Sequence, residues 1–236
     1  MWRKFAEKRR ALGTADTLWF VIDAVLRRLS RGAAKAVKYY LVAQPVDAGG
    51  AVTARGSIRL YVAEGVDDVM RQAPRPEATL QSRFAQHSRC VVAERGGELA
   101  GFIWWCPQSY REDTVRCDYH WYPAERARWD YDVYVAPPFR MGRLFSRLWQ
   151  QAHQHLGDER VDWTLSRIDA FNAGSLAAHR KLGAREIGRA WFIVAGRLQL
   201  MVATAAPYVH LSLGQRSVPA LRLNISDLPP AQDAAP

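Results

Sequence analysis

Residues 90–105 keep a hydrophobic period of two on either side of a four-residue turn, and this fixes a β-hairpin in the middle of the chain. Cys90-Val-Val-Ala-Glu and Leu99-Ala-Gly-Phe-Ile-Trp-Trp form its arms. Arg95-Gly-Gly-Glu joins them with the glycines that a tight hairpin turn needs for positive φ. Every other element has to pack on, or extend, the sheet that this hairpin starts. Upstream, Thr14 or Asp16 can cap a helix in which Leu18, Ile22, Val25 and Leu29 recur at helical spacing, with Gly32 just past its end. Residues 37–43 and 58–62 read as strands, and 66–70 and 78–87 as short helices on either side of Pro74 and Pro76. Downstream, residues 116–122 and 129–135 read as strands, the second ended by Pro137-Pro138. Leu144, Leu148, Ala152 and Leu156 then lie on one helical stripe. Residues 161–168 follow as a strand and 173–182 as a helix capped by Asn172, and 186–194 with 197–204 close the order as a hairpin. This order predicts an α/β domain with a central mixed, mostly antiparallel sheet flanked by helices.

The chain has 236 residues, 49% of them hydrophobic, enough for a sizeable core with no metal or disulfide to hold it. No apolar run approaches the ~20 residues of a membrane span. Met1-Trp-Arg-Lys lacks the apolar core and cleavage site of a signal peptide. The three cysteines, Cys90, Cys106 and Cys117, form no CxxC pair and suit a reducing cytoplasm. The net charge of +10 is uneven: residues 1–40 hold ten Lys or Arg against Glu7, Asp16 and Asp23, a balance of +7, leaving +3 for the rest. Residues 1–35 therefore read as a basic amphipathic helical segment. A solvated face is one reading of it. Peripheral contact of residues 1–31 with an anionic membrane surface is the other. Nucleic-acid binding is disfavoured, because the folded part carries little of the basicity. Residues 36–206 form the expected domain. Residues 207–236, with five of the twelve prolines and no clear period, read as a disordered tail, and removal of residues 210–236 is expected to leave the fold intact.

Chemistry concentrates at one junction, where strand Asp130-Tyr-Asp-Val-Tyr-Val135 runs through Ala-Pro-Pro-Phe-Arg-Met-Gly-Arg-Leu-Phe145 into the long helix. The first N–H groups of a helix have no internal partner and the helix dipole is positive there, so such a loop suits phosphate. Arg140, Arg143 and Arg147 would add to that field. Further on comes Asn172-Ala-Gly-Ser-Leu-Ala-Ala-His-Arg-Lys-Leu-Gly-Ala184. At this point the chain resembles the GCN5-related N-acetyltransferase (GNAT) superfamily. Val135-Ala-Pro137-Pro-Phe-Arg140 is similar to the family's V-x-P-x-x-R loop, and Asn172, Ser175, Lys181, Leu182 and Gly183 are similar to its later helix motif.

The resemblance implies a GNAT-like fold over roughly residues 36–205 and acetyl transfer from acetyl-CoA, the co-substrate, to the primary amine of a small molecule. It implies that the backbone near Val133 and Val135 holds the thioester. Arg140, Met141, Gly142, Arg143, Leu144 and Phe145 would cradle the pyrophosphate, and Asn172 would join the cofactor-binding set. The family's cradle glycines are replaced here by Arg143 and Phe145, and Gly142 lies one position early. Arg143 can answer a phosphate directly instead. His179 stands where the family usually has Tyr, as the candidate acid for the departing thiolate. Asp132 is the candidate general base, with Asp130 second. Nine aromatics crowd residues 104–134, nearly three times the chain's 11% average. They read as strand packing or as a stacking pocket for an amino-sugar acceptor. No metal site is expected, since Cys117-Asp-Tyr-His120 lacks a second ligand pair and His153 and His155 face different sides of a helix. The competing class is a non-catalytic module of the same fold that docks on a membrane surface or nucleic acid.

Overall fold

The structure, a computed structural model, describes residues 13–47, 57–140 and 142–230. It contains a central, largely antiparallel sheet flanked by helices and divides into two compact units. No helix among the described residues is long and apolar enough to cross a membrane.

The first unit takes residues 1–44, 109–123 and 165–228. Its elements are α1 (Thr14–Leu29), β1 (Ala34–Pro45), β5 (Tyr110–Arg111), β6 (Asp118–Tyr122), β8 (Trp163–Asp169), α4 (Ala173–Lys181), β9 (Arg185–Ala195), β10 (Leu198–Ala203), β11 (Val209–Ser212) and β12 (Ala220–Asn224). The strands order as β11-β10-β9-β1-β8, with a small sheet β12-β6-β5 beside them. One face of β1 is held to α1 by acids. Asp16 accepts from Lys38 and, at 2.6 Å, from the Tyr40 hydroxyl. Asp23 accepts from the Ala36 amide at 2.9 Å and from Arg27. Phe20 meets the Phe171 ring edge-on. On the other face Tyr39 and Phe192 are buried, and Arg167 clamps the fully buried Glu112 with bonds of 2.5 and 2.7 Å.

Two expectations are corrected here. The helix near the N-terminus turns its polar side inward: Asp16, Thr17 and Asp23 are buried, while Leu18, Val25 and Leu29 of the expected apolar stripe point to solvent. The two inward acids outcompete the stripe because β1 offers them a lysine, a tyrosine hydroxyl and a backbone amide, while the Thr17 hydroxyl donates to the Gly13 carbonyl. Residues 1–12 of the basic segment lie outside the described residues. The second correction concerns the expected tail. From residue 207 the chain adds β11 antiparallel to β10 and β12 parallel to β6, and it buries Leu221, Leu223 and Ile225. Alternation in these four- and five-residue strands is too short to register as a period.

The second unit takes residues 45–108, 124–164 and 229–236. It contains β2 (Arg59–Ala63), a 3-10 turn (Met70–Gln72) in place of the expected helix at 66–70, α2 (Glu77–Ala85), β3 (Arg89–Arg95), β4 (Glu98–Cys106), β7 (Ala127–Val135), a second 3-10 turn (Pro137–Phe139) and α3 (Leu144–Asp158). Its strands order as β7-β4-β3-β2 and all pair antiparallel. Side chains alternate across a strand, so Cys90, Val92, Phe102 and Trp104 pack on Met70 and Leu80 on one face. On the other face Leu148 of α3 reaches Gly101, where an added Cβ would sit 2.6 Å from the Tyr134 carbonyl. Only glycine lets β4, β7 and α3 approach this closely. Gly96 and Gly97 have φ of 61° and 83°, as the hairpin turn required.

Candidate functional site

The β4–β7 ladder slips by one residue just before the junction loop. Trp104 faces Tyr131 and Phe102 faces Tyr134, so Ile103 opposes both Asp132 and Val133. This is a β-bulge, which re-aims backbone groups out of the ladder. Asp132 carries it at φ 49°, a left-handed conformation that few non-glycine residues adopt and that aspartate tolerates better than most. Two arginines hold its carboxylate. Arg75 contacts Asp132 with Nε at 3.0 Å and Nη2 at 2.5 Å, and Arg83 Nη1 donates at 2.6 Å. The Arg83 guanidinium also lies over the rings of Trp104 and Tyr131, at 5.2 and 5.1 Å from their centroids. Sequence reasoning missed Arg75 and Arg83; the Pro74 and Pro76 that flank Arg75 were its only local signal.

Past the bulge, the Ala136 amide donates to the Ala100 carbonyl at 2.9 Å and the chain turns through Pro137–Phe139. Arg140 is exposed, its Nε donating to the Val135 carbonyl at 3.1 Å. α3 then starts after Arg143, with no side chain capping its first turn. Its leading N–H groups therefore remain available to an anion. Arg143 is exposed; Leu144 is buried beneath the helix and Phe145 packs on Trp149. Arg147 turns away from the expected phosphate field, donating to the Ile58 carbonyl at 3.1 Å. At Gly142 an added Cβ would meet nothing closer than 3.5 Å, so the loop does not depend on this glycine sterically. Met141 lies outside the described residues. Val133, Val135, Asp132, Arg140 and residues 142–145 thus share one unit and one strand–turn–helix connection.

His179 and Asn172 belong to the other unit. The Asn172 amide oxygen caps α4 by accepting from the Ser175 amide at 3.1 Å, as its place before Ala173 predicted. His179 is buried, with Nδ1 3.1 Å from Oε1 of Gln44. An amide oxygen accepts, so the ring proton sits on Nδ1. Burial pushes its pKa down to about 4. At pH 7 only about one molecule in a thousand would carry the imidazolium. The side chains expected to move protons are thus engaged otherwise, Asp132 as the anchor of the bulge and His179 as a neutral, buried ring. Asp130, the second choice of base, is buried at the Trp105 position of the ladder.

The aromatic run is shared between the units. Trp104, Trp105 and Trp129 are core residues of the second, and Tyr119 and Trp121 of the first. Packing accounts for most of it. Tyr122 is exposed and, with His120 and Arg222, lines an open hollow of about 310 Å3 on the β6–β12 face. All three thiols are buried and held protonated, burial raising Cys106 and Cys117 to about 12.

The profile of the acetyltransferase (GNAT) family matches residues 58–184. Among solved structures, a Drosophila protein superposes with a TM-score of 0.50 at 14% identity, over 75% of this chain and 57% of that one. An acetyltransferase of the GNAT family from Novosphingobium aromaticivorans gives 0.45 at 16% identity, over 68% and 64%. A GCN5-related N-acetyltransferase from Kribbella flavida gives 0.42 at 12%, over 70% and 60%. The chain therefore spans less than two thirds of the length of these three structures. No curated protein matches.

Proposed function

Since the chain belongs to the GNAT acetyltransferase family, we propose that it transfers an acetyl group from acetyl-CoA to the primary amine of a small molecule, an amino sugar being the acceptor class the sequence suggested. The observation that carries this reading is the bulge at Asp132 followed directly by an uncapped helix start. A bulge leaves one residue out of the ladder, here within Asp132–Val133, and a backbone N–H released there, beside Val133 and Val135, would polarise a thioester carbonyl, where preorganised donors act most strongly. The leading amides of α3, with Arg140 and Arg143, meet the charge of a pyrophosphate. The residues present thus fit coenzyme A. When bound, it supplies the activated acyl group and a thiolate leaving group. With His179 a buried, neutral ring, the reading does not depend on an imidazolium there. Arg75 and Arg83 act here as positioning residues, keeping Asp132 in the conformation that shapes the bulge. Donor and amine remain the substrates to be tested.

Acetyl-CoA should raise the melting temperature of the full chain, and Arg140→Ala should raise the KM for acetyl-CoA by about 10- to 150-fold with kcat changed less. That range is the loss of a charge-assisted contact of ~1.5–3 kcal/mol that acts on ground and transition states alike. Thiol release with a panel of amines reads out turnover. A protein that acetyl-CoA does not stabilise, and whose Arg140→Ala form behaves as the parent, would leave only the non-catalytic module.

For that second reading, the outward ridge of Leu18, Val25 and Leu29 beside exposed Arg28 is the supporting feature. Such a ridge suits an anionic lipid surface. Co-sedimentation with phosphatidylserine vesicles should then fall steeply with salt and be lost in Leu18→Glu with Leu29→Glu. Equal sedimentation of both proteins would remove the idea.

A further inference from the structure

One of the two guanidiniums at the bulge has hydrogen bonds to spare. Arg75 is fully committed: Nε and Nη2 grip the Asp132 carboxylate, and Nη1 donates to the Pro74 carbonyl at 2.7 Å. That two-pronged pair already neutralises Asp132. Arg83 brings a second positive charge to the same carboxylate, through Nη1 alone. Its Nε and Nη2, the same edge with which Arg75 grips Asp132, have no hydrogen-bond partner among the described residues and stay open to solvent. Yet the Arg83 side chain is 13% exposed against 35% for Arg75, so the less satisfied cation is the more deeply buried. Asp67, an acid of the same unit, is engaged elsewhere, accepting from the Tyr61 hydroxyl at 2.6 Å and the Met70 amide at 2.8 Å. Burying a cation short of acceptors costs free energy, and the faces of Trp104 and Tyr131 return a part of it. The locked, planar fork that results is the donor set that matches a carboxylate or a phosphate.

We propose that the open edge of Arg83 receives an acid group of the acceptor, so that the amine acetylated here carries a carboxylate or a phosphate on the same molecule. This rests on the acyl-transfer reading of the bulge, in which the thioester lies beside Val133 and Val135. In that reading the coenzyme's phosphates are met beyond Val135, by Arg140, Arg143 and the start of α3. Arg83 meets the strand at Asp132, before the thioester position, so an anion seated there arrives with the amine. Binding the acid end also orients the nitrogen, because a fork bonded at two points fixes direction as well as distance. Arg75 holds Asp132 at two points by itself, which leaves Arg83 to discriminate between acceptors.

The test uses the full chain with acetyl-CoA and matched acceptors: the common amino acids against their amides, and glucosamine 6-phosphate against glucosamine. Thiol release should show kcat/KM at least 10-fold higher for the charged member of one set, and the two sets tell a carboxylate from a phosphate. Arg83→Gln should lower kcat/KM for the charged amine at least 10-fold further than for its neutral partner, chiefly through KM. Binding gives a second readout: with coenzyme A present, the charged amine should raise the melting temperature of the parent and not that of Arg83→Gln. Should Arg83→Gln fail to fold, Arg83→Lys keeps the charge but not the fork, and should lose most of the preference. Charged and neutral amines used equally would overturn the proposal and leave acetyl transfer standing. So would a preference that survives both variants, or a chain that acetyl-CoA stabilises but that consumes neither kind of charged amine. A parent that acetyl-CoA does not stabilise would instead remove the acyl-transfer reading, and this proposal with it.

Discussion

A chain cut after residue 206 is expected to lose the cooperative fold of its first unit. The removed segment includes Leu221, Leu223 and Ile225, each 0–3% exposed. Burying one such aliphatic side chain is worth ~1.5–3 kcal/mol, so the three together rival the ~5–15 kcal/mol that separates a domain from its unfolded state. The backbone adds to this: Asp118 donates to the Pro219 carbonyl at 2.9 Å and Ile225 to that of Tyr122 at 2.8 Å, continuing the ladder at both ends of β12. Without β12, Tyr119 and Trp121 lose the strand beside them. The graded version of the experiment is Leu221→Ala, which should cost ~2–5 kcal/mol by cavity formation and lower the melting temperature by roughly 4–20 °C at this size. Thermal unfolding followed by circular dichroism measures both. A truncated protein that melts within a few degrees of the parent would return the segment to the status of a tail.

Acid should destabilise the protein progressively from about pH 6.5 downward. Burial lowers the pKa of His153 and of His179 from 6.5 to about 4. His153 accepts the Asp47 amide on Nδ1 at 3.2 Å, so a proton there would set one N–H against another. Between pH 6.5 and 4 the unfolded chain binds protons that the folded chain refuses. Stability therefore rises with pH across this window, is complete above about 6.5 and is lost as the pH falls toward 4. A displacement of this size corresponds to about 3 kcal/mol for each histidine. Two such losses bring acid unfolding close to pH 4–5 for a domain of ordinary stability. Denaturant titrations at successive pH values give the slope, which should approach two protons and drop by about one in His179→Gln or His153→Gln. A slope unchanged in the double variant would place the acid sensitivity elsewhere.

What could be read from residues alone follows from how local the causes are. The hairpin at 90–105 became β3 and β4 because its alternation and its two glycines are contiguous. α3 and the Asn172 cap were legible for the same reason: a stripe and a cap are set within a few residues. The strand–loop–helix junction was visible as a connection, and with it Arg140 and the helix start. Its most informative detail was not. A positive φ at an aspartate leaves no mark in the sequence, and the two arginines that hold its carboxylate lie 57 and 49 residues away. The reversed face of α1 escaped notice similarly, because Asp16 and Asp23 face inward only once Lys38, Tyr40 and Ala36 of β1 stand opposite them. His179 looked like an acid from its type, and burial against Gln44 removed the charge that reading needed.

The parallel pairing of β12 with β6 sets a timetable for synthesis. Roughly 100 residues separate the two strands, and at the ~5–20 residues per second of translation β6 waits on the order of 5–20 s for its partner. Over that interval the second unit's hairpin and long helix can already close on themselves, while the first unit holds an unfinished sheet with Tyr119 and Trp121 lacking their cover. The nascent chain thus passes through a stage in which half of it is folded and half is adhesive, and it is during those seconds that a holding chaperone has something to bind.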